Sequence, residues 1–401
     1  MNFIKPYLPM DPLLVFAIVM FCILVVPKLF EKMHLPGLVG LLLCGLMLGP
    51  NGLNLGSGHT NHLFSDIGKL MVMFFAGLEI DYDDFILNKY KSLIFGILTF
   101  LLPLAAGMII GLSFGYSLNS SLLIGSLLAS HTLLAMPILI RYGIVNIEAV
   151  NVTVGATVFT DVAALIVLTA CISLHTIGFA PKPLIIRLVG VIIYLPVLLF
   201  VAKKAAKFFI PRMHDSEDSK TVLLLVIMVV AAIGAEMIHI EGIVGAFIGG
   251  LAVGEVIHGS KTKAKLETLG NTLFIPAFFI AIGALINPSS FLKLSGSNLV
   301  FVILIVGGLI FTKFLASFFA SKILQYKKAE MLTMWSLSMP QVAATLAAAL
   351  VAFETKNADG VRLISEPVFD TIIILVTITS ILGLTLTERF AKKLKTVDVG
   401  H

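Results

Sequence analysis

Charge is scarce in this sequence. Of its 401 residues 13% are Asp, Glu, Lys or Arg, against about 25% in soluble domains, while 58% are hydrophobic and the mean hydropathy is +1.03. That balance excludes a soluble domain of this size and points to a polytopic membrane protein. Cysteine is nearly missing as well. Cys22, Cys44 and Cys171 all fall in apolar stretches, which leaves no readable disulfide framework or zinc spacing. The N-terminus has neither a basic region nor a small-residue cleavage site around the apolar run 16–30, so that run reads as a retained helix and not a signal peptide. No nucleophile, metal or phosphate-binding constellation can be read, so neither an enzyme nor a cofactor is expected.

What the chain does have is apolar sequence cut into membrane lengths. A crossing helix needs about 17–25 apolar residues, and the polar joints predict thirteen: 12–31, 36–52, 62–82, 91–115, 120–142, 147–175, 183–211, 219–238, 241–258, 266–287, 296–323, 329–353 and 366–391. Most of the 28 Lys and Arg follow odd-numbered spans. They include Lys203, Lys204, Lys207, Arg212 and Lys220 after the seventh, Lys261, Lys263 and Lys265 after the ninth, and Arg389, Lys392, Lys393 and Lys395 at the end. Basic residues collect on the cytoplasmic side. The N-terminus is therefore expected outside and the C-terminus in the cytoplasm, in the cell (inner) membrane, and the net charge of +5 reflects this topology.

The halves of the chain echo each other. HLPGLVGLLLCGLMLG at 34–49 and HIEGIVGAFIGGLAVG at 239–254 share Gly37, Val39, Gly40, Gly45, Leu46 and Gly49 with Gly242, Val244, Gly245, Gly250, Leu251 and Gly254 at one constant offset. Phe74-Phe75, Gly77 and Asp81 resemble Phe278-Phe279, Gly283 and Asn287, and Val158-Phe159-Thr160-Asp161 resembles Val368-Phe369-Asp370-Thr371. The second span thus matches the ninth and the sixth matches the thirteenth. An odd shift of seven inverts the second copy in the membrane, the construction of alternating-access transporters with a midplane ion site on broken helices. The expected organisation is a single transporter unit over 1–401, with repeat one at 12–175, a linker helix at 183–211 and repeat two at 219–391.

Two charges stand where none is expected. Asp161 lies in the apolar run 152–170, where a carboxylate costs roughly 2.5–3.5 kcal/mol even on the gentlest insertion scale, and Lys313 lies within 299–319. Thr157 and Thr160 neighbour the aspartate. The fifth and twelfth spans carry polar interruptions, Ser130-His131-Thr132 followed by Pro137, and Ser336-Leu337-Ser338-Met339-Pro340-Gln341. Proline removes a helix donor, so carbonyls near Pro340 and Pro137 are expected to lose partners and to offer a hard cation oxygen ligands beside Asp161. Simple proline kinks bonded by Ser and Thr are the alternative.

LGPNGLNL at 48–55, FFAGLEID at 74–81, LASHTLLAMPIL at 128–139, FTDVAAL at 159–165, GAFIGGLAVGE at 245–255 and FFIAIGALINP at 278–288 together resemble the cation:proton antiporter-2 family, with its bacterial Na⁺/H⁺ antiporters and Kef-like branch. The resemblance covers nearly the whole chain. It implies an all-α Na⁺/H⁺ antiporter fold of thirteen transmembrane helices with inverted-topology repeats and two crossed broken helices. It also implies a core domain from spans 3–6 and 10–13, a dimerisation domain from spans 1, 2, 8 and 9, a homodimer, and elevator-type exchange. Asp161 matches the family's essential carboxylate and Lys313 the basic residue set opposite it. Thr132 and Ser130 occupy the first crossover, and Pro340 with Gln341 the second. Thr160 departs from the pattern, since electrogenic members have a second aspartate there and Kef-like members a glutamine. The family's cytoplasmic regulatory domains are expected to be missing, the last basic cluster ending at Lys395.

The leading expectation is therefore a secondary antiporter of monovalent cations and protons, Na⁺ before K⁺, in which both compete one for one for Asp161 and no net charge moves. Thr160 and Thr157 either ligate the ion or bond back to helix carbonyls. His131 is either a pH sensor or a packing residue. Asp370 reads first as a helix-start acid, then as part of an outer funnel; Glu79 and Asp81 read as a solvated rim. Lys69, three residues after Asp66, suits a local pair. Two alternatives stay open: a Kef-like K⁺/H⁺ efflux system, which would carry a nucleotide-binding regulatory domain, and an organic-anion:sodium symporter of related architecture, which would not require a membrane carboxylate facing a lysine.

Overall fold

The computed structural model of the chain describes residues 12–33, 35–54, 59–176, 181–213, 217–238, 240–257, 261–286 and 296–398. His34, Leu55, His239, Asn287 and Pro288, which belong to the motifs quoted above, lie outside the described residues. In hydrocarbon each backbone N–H and C=O must be satisfied within the protein, and long runs of Leu, Ile, Val, Ala and Phe do this as helices. Among the described residues the sole β feature is an isolated bridge, Lys356 to Arg362.

The helices are α1 (Pro12–Lys32), α2 (Gly37–Leu48), α3 (His59–Glu79), α4 (Tyr82–Leu87) and α5 (Lys89–Ser113), followed by the half-helices α6 (Leu118–Ala129) and α7 (Met136–Tyr142). Next come α8 (Glu148–Thr176), α9 (Pro181–Phe209), α10 (Glu217–Met237) and α11 (Gly242–Ile257). A π-helical turn, Gly270–Phe274, joins α12 (Lys261–Leu269) to α13 (Ile275–Leu285). The chain closes with α14 (Gly296–Leu324), the half-helices α15 (Lys328–Leu337) and α16 (Ala343–Glu354), and α17 (Glu366–Asp398). Among the described residues eight helices are long and apolar enough to cross a membrane, beside four shorter apolar ones, Gly37–Leu48, Leu118–Ala129, Gly242–Gly254 and Ala344–Glu354.

Every predicted span has a helical counterpart, and two are interrupted where polar residues break the apolar run. The span 120–142 divides into α6 and α7, and 329–353 into α15 and α16. The cause of the first break differs from expectation. Pro137 stands in the first turn of α7, after the interruption. A proline there gives up no intrahelical hydrogen bond, so it starts the second half-helix and frees no carbonyl.

The chain forms two compact units, residues 1–69 with 268–287 and residues 70–267 with 288–401. In the first, α2 packs on both α1 and α13. A Cβ on Gly45 would strike the carbonyl oxygen of Ile280, and one on Gly283 that of Leu42, so the two backbones touch through their glycines. The Asn51 amide ties the following loop to Ile286 O at 3.2 Å, and Lys69 pairs with Asp66 at 3.6 Å as its spacing suggested.

In the second unit α11 crosses the end of α3 in the same way. A Cβ on Gly77 would strike Phe247 O, and one on Gly250 would strike Phe74 O. These four glycines all belong to the sequence echoes, so each unit contains a glycine-to-glycine crossing built from an echo. Around the site, α5 packs on α6, α8 and α14, while α15 packs on α8, α14 and α17. Leu123, Leu127, Ile305, Leu309, Met339 and Ile372 belong to the apolar cluster there. Asp81 is a helix cap, accepting from Asp83 N at 2.8 Å and Asp84 N at 3.2 Å, and Glu79 pairs with Lys263 at 2.5 Å.

Gly250→Val and Gly283→Val force a side chain into backbone and are expected to cost about 1–3 kcal/mol each. The purified protein should show this as a lowered thermal unfolding midpoint. Gly307→Ala, where an added Cβ meets nothing within 4 Å, should leave the midpoint unchanged or raise it.

Candidate functional site

The two interruptions cross and bond to each other. Helix α6 stops at Ala129 because Ser130 turns extended, with φ −63° and ψ 158°. Two residues on, Thr132 N donates to Pro340 O at 2.9 Å, joining the first break to the second. Gln341 strengthens the joint. Its side-chain amide nitrogen donates to Leu128 O at 3.1 Å and to Ser130 O, while its amide oxygen accepts from the Thr345 hydroxyl. Its backbone is held by α17, with Gln341 N reaching Thr379 Oγ1 at 3.2 Å and Ser380 Oγ donating to Gln341 O at 2.9 Å. Gln341 is fully buried, so these bonds replace partners that water does not supply.

Asp161 sits on α8 beside this joint, 3% exposed. Its carboxylate accepts one hydrogen bond among the described residues, from Ser130 Oγ at 2.8 Å. The charges that act on it are Glu241 and Lys313. Lys313, on α14, is fully buried, yet no ion pair within 4 Å joins it to Asp161 among the described residues. Its ammonium instead donates to Ala129 O at 2.7 Å and Thr99 O at 3.0 Å and lies 3.5 Å from His131 Nδ1. Ala129 is the last residue of α6, whose carbonyls carry the negative end of the helix dipole. The lysine thus caps a severed helix and influences the aspartate from a distance.

The threonines settle into two roles. Thr160 Oγ1 donates back to Thr157 O at 3.0 Å and lies 3.3 Å from His131 Nδ1. Thr157 Oγ1 donates to Thr153 O at 3.1 Å and meets His131 Nε2 at 2.9 Å. Both therefore face the fully buried His131 and bond back to their own helix. The half-buried Thr132 is different, because its hydroxyl takes no hydrogen-bond partner among the described residues. Ser338 bonds back to Trp335 O at 3.1 Å. Asp370 is half-buried on the first turns of α17, and neither Asp161 nor the groups bonded around it take it as a partner.

Three contributors have little or no sequence signal. Glu241, just before α11, carried one, being an acid at the end of an apolar span inside an echo read for its glycines. Thr99 acts through its backbone carbonyl, which no side-chain pattern reveals. The third is the clamp on α7: Arg141 Nη2 contacts both oxygens of Glu388 on α17 at 2.7 and 2.6 Å, and Tyr142 donates to the same carboxylate at 2.6 Å.

Residues 16–392 match the family model described as "Sodium/hydrogen exchanger, transmembrane". The chain belongs to that family. This exchanger-family chain is 47% identical over 389 residues to the Na⁺/H⁺ antiporter NhaS5 of Synechocystis, covering 96% of itself and 56% of that relative. It is 30% identical over 372 residues to the probable Na⁺/H⁺ antiporter 3 of Methanocaldococcus jannaschii, covering 91% and 93%. The Na⁺/H⁺-K⁺ antiporter GerN of Bacillus cereus is similar at 26% over 253 residues, 62% of this chain and 65% of that one. The solved structure of the sodium proton antiporter MjNhaP1 from M. jannaschii at pH 8 superimposes with a TM-score of 0.68 at 20% identity, over 97% of this chain and 99% of that one. The exchanger-family chain therefore has the antiporter fold and is a multi-pass membrane protein.

Gln341→Leu leaves the carbonyls of Leu128 and Ser130 without their donor. An unsatisfied buried acceptor costs about 1–3 kcal/mol, so this variant is expected to unfold at a lower temperature than wild type. Gln341→Glu, protonated at mildly acid pH and able to donate one bond, should recover part of the loss in the same thermal melt.

Proposed function

We propose that the chain is a secondary antiporter that exchanges a monovalent cation, Na⁺ foremost, for a proton, with Asp161 holding each in turn. One observation carries this reading. A buried carboxylate with, among the described residues, a single hydrogen-bond donor stands at the crossing of two broken helices. An intramembrane acid is costly and marks an ion path. A carboxylate held by one hydroxyl retains free lone pairs for a cation or a proton, and the unengaged hydroxyl of Thr132 supplies another hard oxygen at the same crossover. The names of the relatives, Na⁺/H⁺ antiporters, support the same pair of ions.

The exchange is one for one. Thr160 stands where a second carboxylate would be, and it spends its hydroxyl on its own helix. A single acid then carries either one cation or one proton, and the cycle moves no net charge. We place the protein in the cell (inner) membrane with the N-terminus outside, as the distribution of Lys and Arg directs. It works as a homodimer in which the crossed half-helices and Asp161 move together between the two sides.

Reconstituted in proteoliposomes, the protein is expected to exchange Na⁺ for H⁺ at a rate that does not change when a membrane potential is imposed. Li⁺ and K⁺ are tested in parallel, and K⁺ supporting the faster exchange would reassign the cargo. Asp161→Asn should reduce exchange to the liposome background, and antiport surviving intact in that variant would sink the mechanism. A turnover that scales with potential would sink the one-for-one stoichiometry.

A further inference from the structure

His131 occupies a position from which every neighbour constrains its protons. The Thr157 hydroxyl has one hydrogen, and that hydrogen goes to Thr153 O at 3.1 Å. Its 2.9 Å contact with His131 Nε2 therefore requires the ring to donate, so Nε2 carries a proton. Nδ1 faces the Lys313 ammonium at 3.5 Å, which can only donate, and the Thr160 hydroxyl at 3.3 Å. A lone pair on Nδ1 suits the ammonium, while the Thr160 hydroxyl, whose hydrogen goes to Thr157 O at 3.0 Å, is a contact there and not a donor. The three ammonium hydrogens of Lys313 then point to Ala129 O, Thr99 O and His131 Nδ1, and none remains for Asp161.

We propose that His131 is a positioning residue that parks Lys313 against the end of α6 and off Asp161, leaving the carboxylate open to the transported cation. This inference rests on the antiport reading and adds to it the reason that a fixed cation inside the protein does not displace the mobile one. Remove the imidazole, and the lysine has a spare N–H while Asp161 is the carboxylate whose charge acts on it. An ammonium drawn onto Asp161 is a built-in competitor for Na⁺.

The test combines affinity with structure. Apparent Na⁺ affinity is measured as the KM for exchange in proteoliposomes and, independently, from the Na⁺ dependence of the thermal unfolding midpoint. For His131→Ala the KM is expected to rise by about tenfold, the scale on which an opposite charge 4–6 Å away biases a carboxylate, with kcat changed less than KM. His131→Gln can donate from its amide nitrogen to Thr157 and accept from Lys313 on its amide oxygen, and should stay near wild type. In a Lys313→Met background, His131→Ala should cause no further loss of Na⁺ affinity. A structure of His131→Ala should show the lysine nitrogen within ion-pair distance of Asp161. His131→Leu, which fills the ring's volume without an acceptor, replaces the alanine variant if that one fails to fold.

An unchanged KM, an equal loss of affinity with and without Lys313, a glutamine variant as impaired as alanine, or a lysine that stays on Ala129 in the variant structure would each overturn the proposal. Wild-type protein that exchanges no cation for protons would instead overturn the antiport reading, and the variant structure would still decide where the lysine goes.

Discussion

A carbonyl released from a helix inside hydrocarbon has no water to turn to, and the arrangement around Asp161 follows from that constraint. Two helices are cut at membrane depth, and each cut frees donors and acceptors. The solution is mutual. Pro340, which cannot donate, supplies a carbonyl to Thr132 N, and Gln341 reaches back with its amide to the carbonyls at the end of α6. The remaining end of α6 is met by the ammonium of Lys313. The two breaks are thus bonded to each other, and among the described residues the carboxylate of Asp161 and the hydroxyl of Thr132 keep spare capacity.

This distribution of partners separates two tasks that opposite charges at one site often combine. Lys313 satisfies backbone, and its charge reaches Asp161 through space without a direct contact. Among the described residues Asp161 accepts its hydrogen bond from Ser130. A carboxylate locked in an ion pair would hold its proton or cation site closed, whereas one steadied by a neutral hydroxyl keeps acceptor lone pairs available. His131 contacts Lys313 and both threonines of α8, and the threonines also bond back to their own helix.

Much of this was legible because membrane sequences are punctuated. Apolar run lengths gave the long helices but not the short α4 or the polar α12, the polar interruptions at Ser130 and Ser338 gave both breaks, and the echoing glycines Gly45, Gly77, Gly250 and Gly283 proved to be backbone contacts. What escaped had no pattern to carry it. A backbone acceptor such as Thr99 O has no side-chain signature, and the direction in which Lys313 points depends on three helices that are distant in sequence. Pro137 was misread because a proline ending one helix and a proline starting the next look alike in sequence. The Arg141–Glu388 clamp joins residues 247 apart, each ordinary in its own segment.

That clamp bears on how the site yields to force. Helix α7 is seven residues long, too short to hold itself, and it is anchored at one end by the crossover and at the other by Arg141 and Tyr142 on Glu388. Helix α17, which provides Glu388, also holds Gln341 through Thr379 and Ser380. One continuous helix thus grips both breaks, so the oxygens of the crossover are carried on a common frame. The crossover would then not loosen piecemeal when the protein is strained, and its amides would give up their hydrogens to solvent together, at the rate at which α17 itself comes away.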